Sequence, residues 1–205
     1  MNLVIFGIVL LMVLSQFNVQ ITPVLTALGV GGLAVALALQ DTLANFFAGI
    51  HILIEEPIRV GNFVSLSKDE EGMVRDIGWR TTRLLTGANN IIVIPNQKIT
   101  SGILTNYSLP EPRLSAEIII MASHDADPDR IAALAMDAAS ETMGVLEDPA
   151  PSVWFDPGVL QTHLQMKLIV HVPGYLDRAR VQSEIRTRIV KAFRDQGIPF
   201  PVIRV

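Results

Sequence analysis

Side chains that could bind a metal ion or transfer a proton are scattered along this sequence. The four histidines lie far apart in the chain, at His51, His124, His163 and His171. We find no second histidine or carboxylate at metal-ligand spacing from His51, and two others share one predicted strand but are too far apart to bind one ion. The run from Asp69 to Glu71 is typical of a solvated turn.

Motifs for covalent catalysis and for nucleotide binding are absent as well. The chain contains no Cys, which excludes a disulfide framework and thiolate metal sites. No G-x-S-x-G, H-E-x-x-H or Walker A pattern occurs. We therefore expect no enzymatic activity, no catalytic residue, no metal site and no cofactor.

The distinctive chemistry of this chain is apolar and lies between Gly29 and Gln40, where nearly every second residue is Gly or Ala. No charged side chain occurs before Asp41, and the run from Ile21 to Leu39 is about long enough to cross a bilayer. On a helix with about 100° per residue, Leu33 and Leu37 share one stripe. The segment is thus predicted to be a membrane helix.

Small residues flank this leucine stripe. The residues on and beside it are Thr26, Gly29, Val30, Gly32, Ala34, Ala36 and Ala38. Small flanks let helices approach closely in lipid, and a repeated contact between opposite flanks of neighbouring copies closes into a ring. Leu33 and Leu37 would then constrict a pore. The same spacing also occurs in ordinary helix dimers whose leucines face lipid, so the residues alone leave both arrangements open.

Charge is distributed very unevenly along the 205 residues. The 16 basic and 20 acidic residues all follow position 40, and the mean hydropathy is +0.42. A membrane part is therefore followed by a water-soluble part long enough for one or two small domains. The net charge of −4 and the pI near 5.5 argue against nucleic acid as a partner, because phosphate binding needs a clustered basic face.

The membrane region is predicted to cover residues 1–56 as a helical hairpin. Leu3 to Leu14 is apolar but too short to cross a bilayer, so we expect the end of a longer helix in a fragment or a shortened protein. After a polar turn, Thr22 can cap a helix that Pro23 begins. This pore helix is expected over about residues 22–54.

A second, amphipathic segment follows at the end of the uncharged run. Leu43, Phe46, Phe47, Ile50 and Ile54 recur at helical spacing, which suits a membrane surface or a junction with protein. Asp41 can serve as the N-cap of this segment, so we expect a bend near residue 41 and a second weak point at Gly49. Pro57 then ends the helix.

The water-soluble part is predicted to contain two domains. Residues 57–110 have short strand patterns at 60–66, 73–77, 79–85, 91–94 and 103–107 separated by turns, which predicts a small all-β domain. Residues 111–197 follow the order β-α-β-β-α of a ferredoxin-like α+β unit, with a helix capped by Asp127 and another that ends at Gly197. Residues 198–205 are predicted to be a strand that pairs with its own copies in an oligomeric β-barrel.

The chain resembles the family of small-conductance mechanosensitive channels (MscS). The matching segments are LGVGGLAVALALQDTLANFFAGI (28–50), EEPIRVGNFV (55–64), GMVRDIGWRTTRL (72–84), IIVIPNQKI (91–99) and the terminal IPFP. Each segment alone would be weak, but their ordered combination covers nearly the whole chain and is specific. The usual first membrane helix of the family and much of the second are not recognisable in this sequence.

The resemblance implies a homoheptamer with a pore lined by the Gly- and Ala-rich helix and a cytoplasmic vestibule built from an Sm-like β domain and the α/β domain. Leu33 and Leu37 correspond to the hydrophobic gate. Gly29, Gly32 and Ala36 correspond to a groove that receives the neighbouring helix, and Thr26, Val30 and Ala34 correspond to the opposing knobs. The family often has Ala or Gly at three of these positions, and Asp41 stands where the prototype has a kink glycine.

Two functional hypotheses follow. The first is a tension-opened, weakly selective channel in a bacterial-type inner membrane, with cytoplasmic C-terminal domains, that releases ions and small solutes on hypo-osmotic shock. A ring of Asp41 carboxylates could favour cations, and membrane lipids are expected partners. The second is a non-conducting, membrane-anchored oligomeric scaffold. A transporter is disfavoured because the bilayer segments contain no ionisable residue.

Overall fold

The computed structural model describes residues 2–17 and 20–201. Two helices form the N-terminal region, α1 (Asn2–Gln16) and α2 (Thr22–Glu55). The predicted caps are wrong in two places. Ile21 is the N-cap residue of α2 and Thr22 is already helical. Asp41 is no N-cap, because α2 continues through it without a break and its carbonyl oxygen accepts a hydrogen bond from Asn45 Nδ2 at 2.8 Å.

The β domain contains five strands and one short helix that the sequence analysis missed. The elements are β1 (Phe63–Ser67), β2 (Glu70–Ile77), β3 (Thr81–Leu85), β4 (Ile91–Pro95), α3 (Asn96–Ser101) and β5 (Thr105–Asn106). The strand order in the sheet is β4-β3-β2-β1-β5. Glu70 and Glu71 belong to β2 and not to the predicted turn, because β1 and β2 pair up to the register Ser67 with Glu70.

The contacts divide the chain into two compact units. The first unit holds α1 and α2 together with Ile77–Thr82 and Val93–Ser101, and the second holds Pro57–Asp76, Arg83–Ile92 and the chain from Gly102 on. Within the second unit, the turn after α2 is fastened by Asn106, whose Nδ2 donates to Pro57 O and Asn62 Oδ1, both at 2.9 Å. Because the chain forms this turn first, β1 begins at Phe63 and not at the predicted Val60.

The α/β domain has the predicted order β-α-β-β-α, which confirms the ferredoxin-like unit. Its elements are β6 (Leu114–Ala122), α4 (Pro128–Ser140), β7 (Ser152–Val159), β8 (Leu164–Val172) and α5 (Tyr175–Asp195). The sheet order is β6-β8-β7 with antiparallel pairing. Alternate residues of β6 and β8 pack with α4 and α5 in one apolar core. His163 precedes β8 and does not lie on it, contrary to expectation.

Helix ends in this domain follow the sequence signals closely. The Asp127 side chain accepts a hydrogen bond from Asp129 N at 3.0 Å, and Gly197 adopts the left-handed φ of 65° after α5. Residues 198–201 are irregular: Ile198 lies in the core and Pro199 O accepts from Ser123 N at 3.0 Å. Residues 202–205 lie outside the described residues, so the C-terminal barrel strand stays a prediction.

Candidate functional site

The leucine stripe of α2 is exposed along its whole length in the single chain. Leu33 is 61% exposed and Leu37 62% exposed. A Cβ added at Gly29 or Gly32 would meet no other atom within 4 Å, so this small-residue flank is also open. Among the other predicted packing positions, Thr26 Oγ1 donates to Thr22 O at 2.9 Å, and Val30, Ala34 and Ala36 are exposed. The gate and packing roles of these residues therefore stay predictions.

The C-terminal part of α2 differs, because one of its faces is buried within the first unit. The buried residues are Asn45, Ala48, Gly49 and Ile52. Asn45 Oδ1 accepts a hydrogen bond from Gln97 N at 3.0 Å, which joins α2 to the start of α3. We call the contact of this buried face with 77–82 and 93–101 the α2 clamp.

Gly49 permits the closest approach in the α2 clamp. A Cβ built at this position would lie 2.7 Å from Asn96 Nδ2 and 2.9 Å from the backbone oxygen of Trp79. Such distances are shorter than real side chains tolerate, so only glycine fits without displacing its neighbours. The helix is regular through Gly49, and the weak point predicted there is instead a packed contact.

Asn96 is the polar centre of the α2 clamp and is fully buried. Its Nδ2 donates to Gly78 O at 2.9 Å, its Oδ1 accepts from Thr82 Oγ1 at 2.9 Å, and its backbone N donates to Arg80 O at 3.0 Å. When both the oxygen and the nitrogen of a buried side-chain amide are hydrogen-bonded, the amide holds the bonded neighbouring groups in one arrangement. Asn96 was not predicted from the sequence, although the spacing of Asn45, Ala48, Gly49 and Ile52 on one helix face could have indicated a buried face.

Titratable groups near α2 offer little chemistry. His51 has a carboxylate neighbour that the sequence analysis overlooked, since its Nδ1 lies 3.7 Å from Glu55 Oε1, but both side chains are mainly exposed. Within residues 2–17 and 20–201, no group of three or more His, Asp or Glu side chains could hold a metal ion. The α2 clamp is built from neutral amides, hydroxyls and backbone groups, and its chemistry is that of a structural joint.

An aromatic cluster lies within the second unit. The rings of Phe63 and Tyr175 are stacked with centroids 3.8 Å apart, and Tyr107 lies 4.6 Å from Tyr175. The Tyr175 hydroxyl donates to Glu71 Oε2 at 3.2 Å. Burial raises the pKa of Tyr175 above its usual value, and the Glu71 carboxylate raises it further. Glu71 therefore has a structural partner and is not the solvated turn residue predicted from the sequence.

A second charged group lies on the sheet of the α/β domain. Lys167 Nζ is 2.7 Å from Asp156 Oδ2 and 3.7 Å from Glu117 Oε1. Asp156, through its hydrogen bond and then its charge, raises the pKa of Lys167, and Glu117 adds to the effect. Glu117, Asp156 and Lys167 thus form an exposed network of ion pairs across three strands, and none of these groups is suited to catalysis.

The chain combines a membrane-length helix that has an open small-residue flank with a β domain and an α/β domain. Three family models match successive parts of the chain: Mechanosensitive ion channel, transmembrane helices 2/3 at residues 1–40, Mechanosensitive ion channel, beta-domain at 41–109, and Mechanosensitive ion channel MscS, C-terminal at 116–200. The chain belongs to the MscS-like mechanosensitive channel family. Its family and its relatives are channels, not enzymes.

Relatives and solved structures agree with this assignment. The chain is 30% identical over 204 residues to the Large-conductance mechanosensitive channel MscMJLR of Methanocaldococcus jannaschii, covering 97% of this chain and 56% of that protein. It is 32% identical over 177 residues to the Small-conductance mechanosensitive channel of Edwardsiella ictaluri, covering 85% and 60% respectively. The chain thus spans less than two thirds of each.

Structural similarity supports the fold. The crystal structure of Helicobacter pylori MscS in its closed state matches with a TM-score of 0.84 at 23% identity, covering 99% of this chain and 80% of that one. The structure of Arabidopsis thaliana MSL1 matches with a TM-score of 0.72 at 22% identity, covering 98% and 73%. The predicted fold class, a helical membrane region followed by β and α+β domains, is confirmed.

Proposed function

We propose that this protein is a mechanosensitive channel that membrane tension opens, with weak selectivity, to release ions and small solutes on hypo-osmotic shock. The observation that carries the proposal is the exposed stripe of Leu33 and Leu37 between open small-residue flanks on an uncharged helix. This helix is long and apolar enough to cross a membrane. The relatives named above are mechanosensitive channels, which favours the same role here.

The pore forms when several copies of α2 pack side by side. Gly29, Gly32 and Ala36 receive the opposite flank of the neighbouring helix, at Thr26, Val30 and Ala34. This heterologous contact closes into a ring, which we propose is a homoheptamer in lipid. The assembly lies in a bacterial-type inner membrane with its C-terminal domains in the cytoplasm.

Leu33 and Leu37 act as the gate because an apolar constriction excludes water and therefore blocks ions without a plug. Tension favours the conformation with the larger in-plane area and so shifts the population towards the open state. Residues from Asn45 onward are held in the α2 clamp, whereas residues 22–40 are exposed along the helix. Movement of the pore segment relative to the clamp would therefore concentrate near Asp41, which is the hinge position we propose, and not at Gly49.

Patch recording of the full chain in liposomes tests this function. Leu33→Ser should raise the current at zero tension about tenfold or more, because a change of about 1.4 kcal/mol in the free energy of wetting alters the wetted fraction tenfold. Leu28→Ser is the matched control, since Leu28 is also 61% exposed but lies about 140° away round the helix. Equal currents from the two variants would contradict the gate assignment.

A non-conducting oligomeric scaffold is the second candidate. The exposed apolar flanks of α2 would serve helix association equally well in such an assembly. Proteoliposomes of the unaltered chain separate the two functions, because a scaffold gives no unitary currents at any tension below membrane rupture.

A further inference from the structure

Trp79 is a large apolar side chain that the fold leaves in solvent, at 62% exposed. It lies between β2 and β3 in a tight turn, where Gly78 N donates to Thr81 O at 2.8 Å. The backbone of this turn is fixed, because Gly78 O and Arg80 O both accept hydrogen bonds from the buried Asn96. An exposed indole on a rigid turn is suited to contact with another phase or molecule, because its ring is apolar and its N–H is a hydrogen-bond donor.

The turn touches α2 at Gly49, where a Cβ would lie 2.9 Å from Trp79 O. The helical neighbours of Gly49 at i−3 and i+4 are Phe46 and Leu53, and Leu53 is 65% exposed. Phe47, Ile50 and Ile54 continue this exposed apolar surface round the helix. Trp79 therefore lies beside an apolar helix surface that is continuous with the membrane-length part of α2.

The distance along α2 places this surface at the edge of the bilayer. A helix needs about 20 residues to cross the hydrocarbon core, which is the interval between the start of α2 and Asp41. Gly49 lies eight residues further on, about 12 Å along the axis and just outside a headgroup layer about 5–8 Å thick, so an indole that extends back towards the core reaches the headgroups. Trp side chains are enriched at the headgroup level because the ring is apolar and its N–H needs a polar partner.

We propose that Trp79 is an interfacial anchor that binds the headgroup layer of the bilayer and ties the β2–β3 turn to the membrane surface. The partner is lipid, since the apolar surface beside Trp79 continues into the membrane helix itself. Arg80 follows Trp79 and is exposed, which adds a positive charge suited to anionic headgroups. The proposal requires α2 to span the membrane and is independent of whether the protein conducts or gates.

The chain suits a direct spectroscopic test because it contains only two Trp residues, Trp79 and Trp154. Trp154→Phe leaves Trp79 as the single tryptophan in the full chain, which is reconstituted in phosphatidylcholine and phosphatidylglycerol vesicles and excited at a wavelength that tyrosine does not absorb. We expect bromine at shallow acyl positions to quench the Trp79 emission more than bromine at deep positions does. The matched control is Trp79→Phe, whose remaining Trp154 is 60% exposed on the α/β domain and should lose little emission.

Each alternative outcome overturns the proposal in a recognisable way. If bromolipid quenches Trp79 as little as it quenches Trp154, Trp79 lies in solvent. Blue-shifted Trp79 emission without bromine quenching would mean that a second copy of the chain covers the indole. Leu28→Trp is introduced into a chain in which both native Trp residues are changed to Phe, and deep bromine should quench its emission most. If deep bromine does not, α2 does not span the membrane, and the proposal fails because it requires that span. Tension-gated current in the same vesicles would show independently whether the proposed function holds.

Discussion

The two ends of α2 belong to one unbroken helix but have opposite relations to the rest of the chain. Residues 22–40 contain no charge and no buried side chain, and even their glycines face open space. From Asn45 onward one face is buried, and its glycine has backbone and amide atoms at contact distance. Glycine therefore has two uses in α2: an open flank for another helix and a close contact within the same chain.

This difference separates what the fold completes by itself from what it leaves for other molecules. The α2 clamp satisfies its buried polar groups internally, through Asn45, Asn96 and Thr82. The exposed half has no such partners and is suited to lipid and to further copies of α2. Changes in the clamp should alter the stability of one chain, whereas changes in the exposed half should alter assembly or conduction.

The largest effect on stability is expected from Asn96→Ala. The substitution leaves the Gly78 carbonyl and the Thr82 hydroxyl without their buried partner, which should cost about 2–4 kcal/mol locally. Hydrogen exchange at residues 93–101 measures this loss, because the Gln97 amide is bound to Asn45 Oδ1. Asn90→Ala is the matched control, since Asn90 is exposed in the β3–β4 turn and should change stability by about 0.5 kcal/mol or less.

Unchanged exchange at residues 93–101 in the Asn96 variant would mean that the α2 clamp is held by apolar contacts and not by its polar centre. A global loss of stability in both variants would instead indicate that the β domain tolerates no asparagine replacement. Only a loss confined to the Asn96 variant supports the contrast between the two halves of α2.

Local sequence signals predicted the elements of this fold better than they predicted the clamp. Asp127 correctly marked the start of α4, and Gly197 correctly marked the end of α5. These signals depend on neighbours in the chain. Asn96 could not be recognised in this way, because its partners are 14 and 18 residues away and only the folded β domain brings them together.

The same limit explains why Asp41 was wrongly expected to be an N-cap and Gly49 a weak point of the helix. Asp is a good N-cap and Gly a poor helix former, so each residue locally favours an interruption. Tertiary contacts outweigh that preference at Gly49, where absence of a side chain permits the packing on Trp79 and Asn96. In the exposed half of α2, the leucine stripe and its small-residue flanks were recognisable from spacing alone. Which molecule covers them depends on the assembly and the membrane, and the sequence of one chain does not specify either.

A smaller stability effect is expected from Gly49→Ala, which tests the close contact directly. The added methyl group collides with Trp79 O and Asn96 Nδ2, and such overpacking typically costs about 1–3 kcal/mol. Gly31→Ala is the control, because its methyl group enters open space and alanine favours the helix by about 0.5–1 kcal/mol. Thermal unfolding of the two variants in detergent should therefore shift in opposite directions, and shifts of the same sign would refute the contrast.

Asp41 lies at the border between the two halves and should give the smallest effect. Because α2 passes through it unbroken, and only its backbone oxygen bonds to Asn45, Asp41→Asn should change the unfolding free energy by no more than about 0.5 kcal/mol. The exposed Asp41 carboxylates of the assembled copies would still form a ring of negative charge near the mouth of a pore. This ring attracts cations only weakly, because dissolved salt screens its charge. In a potassium chloride gradient, the reversal potential of the Asp41→Asn channel should therefore shift slightly towards the equilibrium potential of chloride. The Asp41→Glu channel should keep the original reversal potential. If Asp41→Asn leaves the reversal potential unaltered, the carboxylate does not influence permeation, and the border residue belongs functionally to the clamped half of the helix.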